Sequence, residues 1–174
     1  MQTETKLAVR SGRQFDESEI QLVLFTLASE TYGVSVLAVE EIMRYQTVTG
    51  VPLAPEFVKG VIDLRGRVIP IVDLRERLGL PAPEATNETR IVVLESGGST
   101  VGLIVDSVDE VRTLPTSEIQ PPSAAITSTD SEFLVGVGRL TDVRGAQQLV
   151  ILLDIDRILT TQQQAALEET RDAT

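Results

Sequence analysis

Asp63 and Asp73 are the residues whose type and spacing come nearest to a catalytic pair. They lie ten residues apart on two neighbouring predicted strands, and two carboxyl groups can act as general acid and general base. Asp73 also precedes residues 74–78, which have the pattern of a short helix ended by Gly79, so it is a candidate N-cap. We favour the N-cap, and a carboxylate-dependent enzyme using Asp63 or Asp73 is the remote alternative.

Other kinds of chemistry are restricted by composition. The 174-residue chain contains no cysteine and no histidine. Disulfides, cysteine nucleophiles, metal sites with such ligands and imidazole proton transfer are therefore excluded. The sequence has neither a glycine-rich phosphate loop nor a Gly-x-Ser-x-Gly turn. We expect no catalytic residue, no metal and no cofactor.

Charge restricts the partners. The net charge is −11, which argues against nucleic acid or an anionic membrane surface. No apolar run approaches the roughly 20 residues of a membrane span, so we expect no direct membrane insertion. Residues 1–12 lack the apolar core of a signal peptide. Residues 1–18 are predicted to be a flexible leader, and residues 162–174 a polar tail. We expect a cytoplasmic protein.

A basic island interrupts this acidic background. Between Arg44 and Arg77 there are six basic and four acidic side chains, a net charge of +2, which leaves −13 on the rest of the chain. Such an island favours a surface complementary to an acidic protein partner. The alternative is ordinary solvated charge around a turn.

The core must be aliphatic, because 42% of residues are hydrophobic and only 3% are aromatic, and β-branched residues favour strands. A hairpin is predicted around Arg65 and Gly66, where Gly66 permits the turn. Pro70 cannot donate to a sheet, so its strand is expected at an edge or with a bulge. The predicted strands are residues 21–27, 32–36, 61–64, 68–73, 90–94, 101–105, 133–140 and 148–155.

An internal repeat organises these strands. Shifting the sequence by 69 places Leu22–Ile42 on Ile91–Val111 with six of 21 positions identical, and residues 56–61 and 71–74 match 132–137 and 152–155. The halves, about 20–80 and 90–161, predict two small barrels. The first hairpin, residues 63–67, differs most from its mate, 139–142, which marks a partner site or only local packing. Positions kept in both halves are expected to serve the fold: Gly33 and Gly102, Gly60 and Gly136, Phe57 and Phe133.

The run from Gly60 to Arg75 resembles the core of the CheW family, G-V-I-N-L-R-G-x-x-x-P-x-x-D-L-R, and matching motifs extend over residues 20–161. The resemblance implies an all-β fold of two five-stranded SH3-like β-barrel subdomains with short helices and a C-terminal helix. The family's usual asparagine is Asp63 here. An aspartate at this position could pair with Arg65 or Arg67, or cap the turn.

The resemblance also implies a function. Proteins of this family are non-enzymatic adaptors that link the cytoplasmic signalling tips of methyl-accepting chemoreceptors to the regulatory domain of the histidine kinase CheA, in arrays at the inner face of the membrane. The alternative within the family is a scaffold in a non-chemotactic pathway that controls pili or development.

By resemblance, Arg65 belongs to the receptor-facing surface and is held by Glu41, while Asp63, Gly66 and Arg67 shape the turn. An apolar floor is expected from Val39, Ile42 and Val61. Alternatives remain for three of these residues. Arg65 could bond to carbonyls of its own turn. The repeat mates of Val39 and Glu41, which are Val108 and Glu110, are also consistent with a core position and a shared structural ion pair.

Overall fold

The computed structural model describes residues 18–96, 98–121 and 134–158. Phe133, the predicted leader up to residue 17, the tail, residues 122–131 of the long loop and the C-terminal helix beyond residue 158 lie outside these ranges. The elements are β1 (Glu19–Leu27), β2 (Glu30–Ser35), β3 (Val39–Arg44), β4 (Val58–Leu64), β5 (Arg67–Asp73), α1 (Leu74–Arg77), β6 (Arg90–Ser96), β7 (Ser99–Val105), β8 (Ser107–Pro115), β9 (Ile119–Gln120), β10 (Leu134–Thr141), β11 (Gln147–Leu153) and α2 (Ile155–Ile158).

The strands form two sheets, which curl into the predicted pair of SH3-like barrel subdomains. Barrel A has the strand order β8-β1-β2-β11-β10-β9, and barrel B has the order β3-β6-β7-β5-β4. Barrel A counts six strands instead of five because of the two-residue strand β9. Neighbouring strands are antiparallel except β2 with β11 and β5 with β7. No helix among the described residues is long and apolar enough to span a membrane.

The two barrels exchange hairpins between the halves of the repeat. The first hairpin of the chain, β1–β2, pairs with strands β8 and β11 of the second half. Likewise β6–β7, which begins the second half, pairs with β3 and β5 of the first. The chain consequently crosses between the sheets twice, at the 3-10 turn Val36–Ala38 and at Asp106. Each barrel therefore requires both halves of the sequence.

Three hydrophobic clusters follow from the alternation of side chains along the strands. In β1, Leu22 and Leu24 point into barrel A, whereas Val23 and Phe25 point into a core shared by both barrels. Burial of one such aliphatic side chain contributes about 1.5–3 kcal/mol. The interior of barrel B contains Ile62, Leu64, Ile69, Ile71, Ile91 and Val93.

In each barrel one glycine, Gly60 in barrel B and Gly136 in barrel A, allows two backbone segments to approach each other closely. A Cβ on Gly60, whose φ is +147°, would lie 2.0 Å from the carbonyl oxygen of Thr49, and one on Gly136 would lie 2.5 Å from that of Gln120. Side chains of other residues cannot occupy such space, because the obstructing atoms are backbone. Gly33 and Gly102 also face close side chains, and Phe57 packs against the shared core.

The position of Pro70 differs from expectation. It lies in β5, an internal strand between β7 and β4, and not at an edge. The parallel pairing with β7 begins at Ile71, one residue later, and the neighbouring strand β4 has a register shift between Val58 and Gly60. The pairing of β5 with β7 therefore starts one residue after Pro70, which has no N–H to donate. For this reason Pro70 can lie in an internal strand.

Candidate functional site

The β4–β5 turn is tight and capped by its own aspartate. Arg65 and Gly66 both have positive φ, 53° and 86°, as in the two-residue turns that match the twist of a hairpin. The Oδ1 atom of Asp63 accepts a hydrogen bond from the Gly66 N–H at 2.9 Å. Of the three roles open to Asp63, capping the turn is the one the structure shows.

Arg65 reaches across the open side of barrel B. Strands β3 and β4 are the two outer strands of that sheet, and Arg65 Nη1 donates to Glu41 Oε2 of β3 at 3.3 Å while Nη2 donates to Oε1. This hydrogen bond is the main reason that the pKa of Glu41 is lowered and that of Arg65 raised. The Arg65 side chain is 69% exposed, so the pair adds little to stability.

A second ion pair lies beside the first. Arg67 Nη1 lies 3.5 Å from Glu40 Oε1, and its Nη2 donates to Thr100 Oγ1 at 2.9 Å. Thr100 Oγ1 in turn donates to Glu40 Oε2 at 3.4 Å. We call Glu40, Glu41, Arg65 and Arg67 the charged seam, since they join β3 to the β4–β5 turn. The predicted Arg65–Glu41 ion pair is confirmed, and it has a neighbour that the sequence did not indicate.

The expected apolar floor is only partly present. Ile42 is 40% exposed on β3, but Val39 is half-buried against the shared core, and Val61 is only 5% exposed. Residues 48–49 cover this region, because Thr49 exchanges backbone hydrogen bonds with Val61 at 3.0 and 2.9 Å. The expectation that Val61 belongs to an exposed floor is therefore wrong, and Ile42 is the member of the set on the surface.

The basic island is largely neutralised within the molecule. Lys59, Arg65, Arg67 and Arg75 all form ion pairs. The acids that pair with the three arginines lie outside residues 44–77. The fourth pair, Lys59 with Glu76, closes at 2.9 Å. A count of charges along the chain could not reveal partners on other strands, so the island is not a free positive surface.

The two aspartates considered for catalysis have structural roles. Asp73 Oδ1 accepts hydrogen bonds from the N–H groups of Arg75 and Glu76 at 3.0 and 3.4 Å, which makes it the predicted N-cap of α1. Burial raises its pKa. Within the part of the chain that the structure describes, no group of three or more carboxylate, histidine or cysteine side chains is placed to hold a metal ion.

Barrel A has a seam of its own, built differently. Glu110 of β8, the repeat mate of Glu41, pairs with Arg112 of its own strand at 3.4 Å. Arg112 Nη2 donates to the carbonyl oxygen of Thr141 at 3.4 Å, and Thr141 is the mate of Arg65. In both barrels an arginine thus links the outer strand to the hairpin turn, Arg65 in barrel B and Arg112 in barrel A. In barrel B it extends from the turn to the strand, and in barrel A from the strand to the turn.

Glu40, Thr100, Asp106 and Arg112 take part in these contacts without having been singled out in the sequence. Each acts through a residue distant along the chain, such as the 33-residue separation of Arg67 and Thr100. The repeat did contain a signal for Arg112. Glu110 is the repeat mate of Glu41, so an arginine partner could have been sought for Glu110 as it was for Glu41.

Two SH3-like barrels with an exposed charged seam define an all-β protein-interaction module. The chain belongs to the CheW family: the family model for the CheW-like domain matches residues 21–163. The chain is 34% identical over 148 residues to the chemotaxis protein CheW of Klebsiella aerogenes, covering 85% of this chain and 86% of that protein. It is 30% identical over 149 residues to protein FrzA of Myxococcus xanthus, covering 86% and 91% respectively.

A solved structure supports the same assignment. The crystal structure of the scaffolding protein TtCheW from Thermoanaerobacter tengcongensis superposes with a TM-score of 0.74 at 32% identity, covering 83% of this chain and 94% of that one. The family and fold predicted from the sequence are confirmed. Because proteins of the CheW family are non-enzymatic adaptors, the chain is an adaptor and not an enzyme.

Proposed function

We propose that this adaptor couples methyl-accepting chemoreceptors to the histidine kinase CheA. One face holds the signalling tips of the receptors, and another packs against the regulatory domain of the kinase. The protein acts in the cytoplasm and is recruited to the inner face of the membrane through receptor arrays. The observation that carries the proposal is the exposed Arg65–Glu41 pair, located in the part of the chain that resembles the family core most closely.

The charged seam suits a receptor helix. A guanidinium group has five N–H donors in a planar fork, and Glu41 accepts from two of the Arg65 nitrogens. The Arg65 side chain is 69% exposed, so its remaining donors can take a carboxylate from a partner helix. Ile42 adds an exposed aliphatic side chain on the adjacent strand β3. An apolar contact with a charged rim is a common way to bind an amphipathic helix.

Internal pairing limits the strength of a single contact. Since Glu41 already partly neutralises Arg65, a partner carboxylate must share the guanidinium rather than meet a free cation. We therefore expect weak binding by one copy and stronger binding in an array, where many contacts act together.

Reconstitution with partners from the same source tests the proposal. The full chain is mixed with a receptor signalling fragment and with CheA, separately and together, and complex formation is measured by sedimentation. Recovery of both partners in one complex supports the proposal. Binding of the kinase without any chemoreceptor would assign the chain to a non-chemotactic pathway for pili or development, and binding of neither would overturn the coupling function.

A further inference from the structure

Arg75 connects parts of the molecule that belong to different barrels. Its Nε and Nη2 atoms donate to the two carboxylate oxygens of Asp106 at 2.8 and 2.6 Å, and Nη1 donates to the carbonyl oxygen of Pro81 at 2.6 Å. Arg75 lies in α1, which follows β5 of barrel B. Asp106 lies where the chain crosses from barrel B to barrel A.

Asp106 extends the connection into barrel A. Its Oδ2 atom accepts from the N–H of Ala28 at 2.9 Å, and its own N–H donates to the carbonyl oxygen of Thr26 at 3.0 Å. Both residues belong to the β1–β2 hairpin. The Arg75 side chain is 16% exposed and that of Asp106 31%, so water competes less for this pair than for the charged seam. We call Arg75 and Asp106 the inter-barrel clamp.

The clamp restrains the relative orientation of the two barrels more specifically than the shared hydrophobic core does. Hydrophobic burial is roughly proportional to the apolar area removed from water and is not directional. A bidentate guanidinium–carboxylate pair fixes both a distance and a plane. The pair sits at a crossing of the chain, where a small change of angle moves one whole barrel relative to the other.

The repeat shows that the fold itself does not require this device. At the other crossing, the mate of Asp106 is Leu37, an exposed apolar residue, and the mate of Arg75 is Asp156. A carboxylate and a leucine cannot form such a pair. Within the described residues, the positions equivalent to Arg75 and Asp106 therefore cannot form an arginine–carboxylate pair at the other crossing, although the backbone passes between the same two sheets.

We propose that Arg75 is a positioning residue that sets the angle between the two barrels, and that this angle determines how the bound kinase responds to the receptor. The second part rests on the proposed coupling function, whereas the first does not. Arg75 acts through Asp106 and the β1–β2 hairpin, away from the charged seam, so we expect its loss to leave the receptor contact in place and to alter the relative orientation of the two barrels.

Distance measurements between the barrels test the first part. The chain has no cysteine, so E95C in β6 of barrel B and V143C in the β10–β11 turn of barrel A give two specific sites for spin labels. Pulsed electron resonance then records the distance distribution in the labelled parent, in Arg75→Ala and in Asp106→Asn. We expect a shifted and broader distribution in both variants.

Arg112→Ala is the matched control, because it removes an arginine ion pair that lies within barrel A alone. It should leave the distribution unchanged. Arg75→Lys should fail to restore the parental distribution, since an ammonium group cannot make the bidentate contact. A folded Arg75→Ala protein, judged by a cooperative thermal transition, with the parental distance distribution would overturn the clamp.

Kinase assays test the second part. With Arg75→Ala we expect unchanged binding of receptor fragment and kinase separately, but a loss of receptor control over kinase activity in the three-component complex. Full control by a variant with altered distances would overturn the link between angle and signalling. If the parent chain binds neither partner, the proposed coupling function is wrong. The spin-label distances would still test whether Arg75 sets the angle between the barrels.

Discussion

The seams of the two barrels perform the same structural task with opposite arrangements. In barrel B, Arg65 extends from the hairpin turn to Glu41 on the outer strand. In barrel A, Arg112 extends from the outer strand to the carbonyl oxygen of Thr141 near the hairpin turn. The β10–β11 turn holds itself together through Asp142, which accepts from the N–H groups of Arg144 and Ala146 at 2.8 and 2.9 Å.

This comparison distinguishes features that both barrels share from features in which barrel B differs. In both barrels an arginine side chain links the outer strand to the hairpin turn, from the turn in barrel B and from the strand in barrel A. In barrel B the bridging arginine itself lies on the turn, where it is exposed and accompanied by a second ion pair. The repeat thus predicts that glycines at equivalent positions affect stability in both barrels, while the two seam arginines differ in their effect on partner binding.

The largest effect on stability is expected for Gly60→Ala. The added Cβ would meet the backbone oxygen of Thr49 at 2.0 Å and would need a strained positive φ, so the free energy of unfolding should fall by about 3 kcal/mol or more. Gly136→Ala should also be destabilised, but less, because its closest approach is 2.5 Å. Urea denaturation measures both. Gly50→Ala, with open space around it, is the control, and an equal effect of all three would contradict shared closure of the barrels.

A smaller, pH-dependent effect is expected for Asp106→Asn. The hydrogen bond from Arg75 lowers the pKa of Asp106 below its usual value, so the charged form stabilises the folded state above the unfolded pKa of about 3.9. Partial exposure keeps the difference from the parent to about 1 kcal/mol at pH 7. It should vanish as the pH falls through the folded pKa of Asp106. A difference that does not shrink as the pH is lowered below the unfolded pKa would show that the clamp does not act through the carboxylate charge.

The helix caps offer the smallest contrast. Asp73 accepts hydrogen bonds from two N–H groups of α1, and Asp154, its repeat mate, accepts one from Asp156 at 3.1 Å. Loss of an N-cap costs about 1 kcal/mol, so Asp73→Ala should lower the free energy of unfolding by that amount and Asp154→Ala by less. Asp73→Asn should be nearly neutral, because it keeps the acceptor and removes a charge whose burial is unfavourable. Thermal denaturation at pH 7 measures these changes. A larger loss of stability in Asp154→Ala than in Asp73→Ala would contradict the comparison.

Local features were predictable from the sequence. The β4–β5 hairpin, the cap by Asp73 and the pairing of Arg65 with Glu41 agree with the structure. The first two depend on residues close in the chain. The third came from resemblance to the family, since periodicity alone does not show which side chains meet across strands.

Long-range features were not predictable in this way. The repeat indicated two barrels but not the exchange of hairpins between its halves, because alternation of apolar residues identifies a strand and not its partner. The burial of Val61 depends on Thr49, and the internal position of Pro70 depends on a parallel partner that begins one residue later. Each error arose where a residue distant in the chain decided the environment.

Charge reversal at the two seams tests the central claim most directly. Arg65→Glu and Arg112→Glu each break one ion pair on an equivalent seam, so a purely structural role predicts equal effects. We expect Arg65→Glu to weaken binding of the receptor fragment at least about tenfold while binding of the kinase is unchanged, and Arg112→Glu to bind the receptor fragment like the parent. Equal receptor binding by the two folded variants would contradict the assignment of the charged seam of barrel B to the receptor.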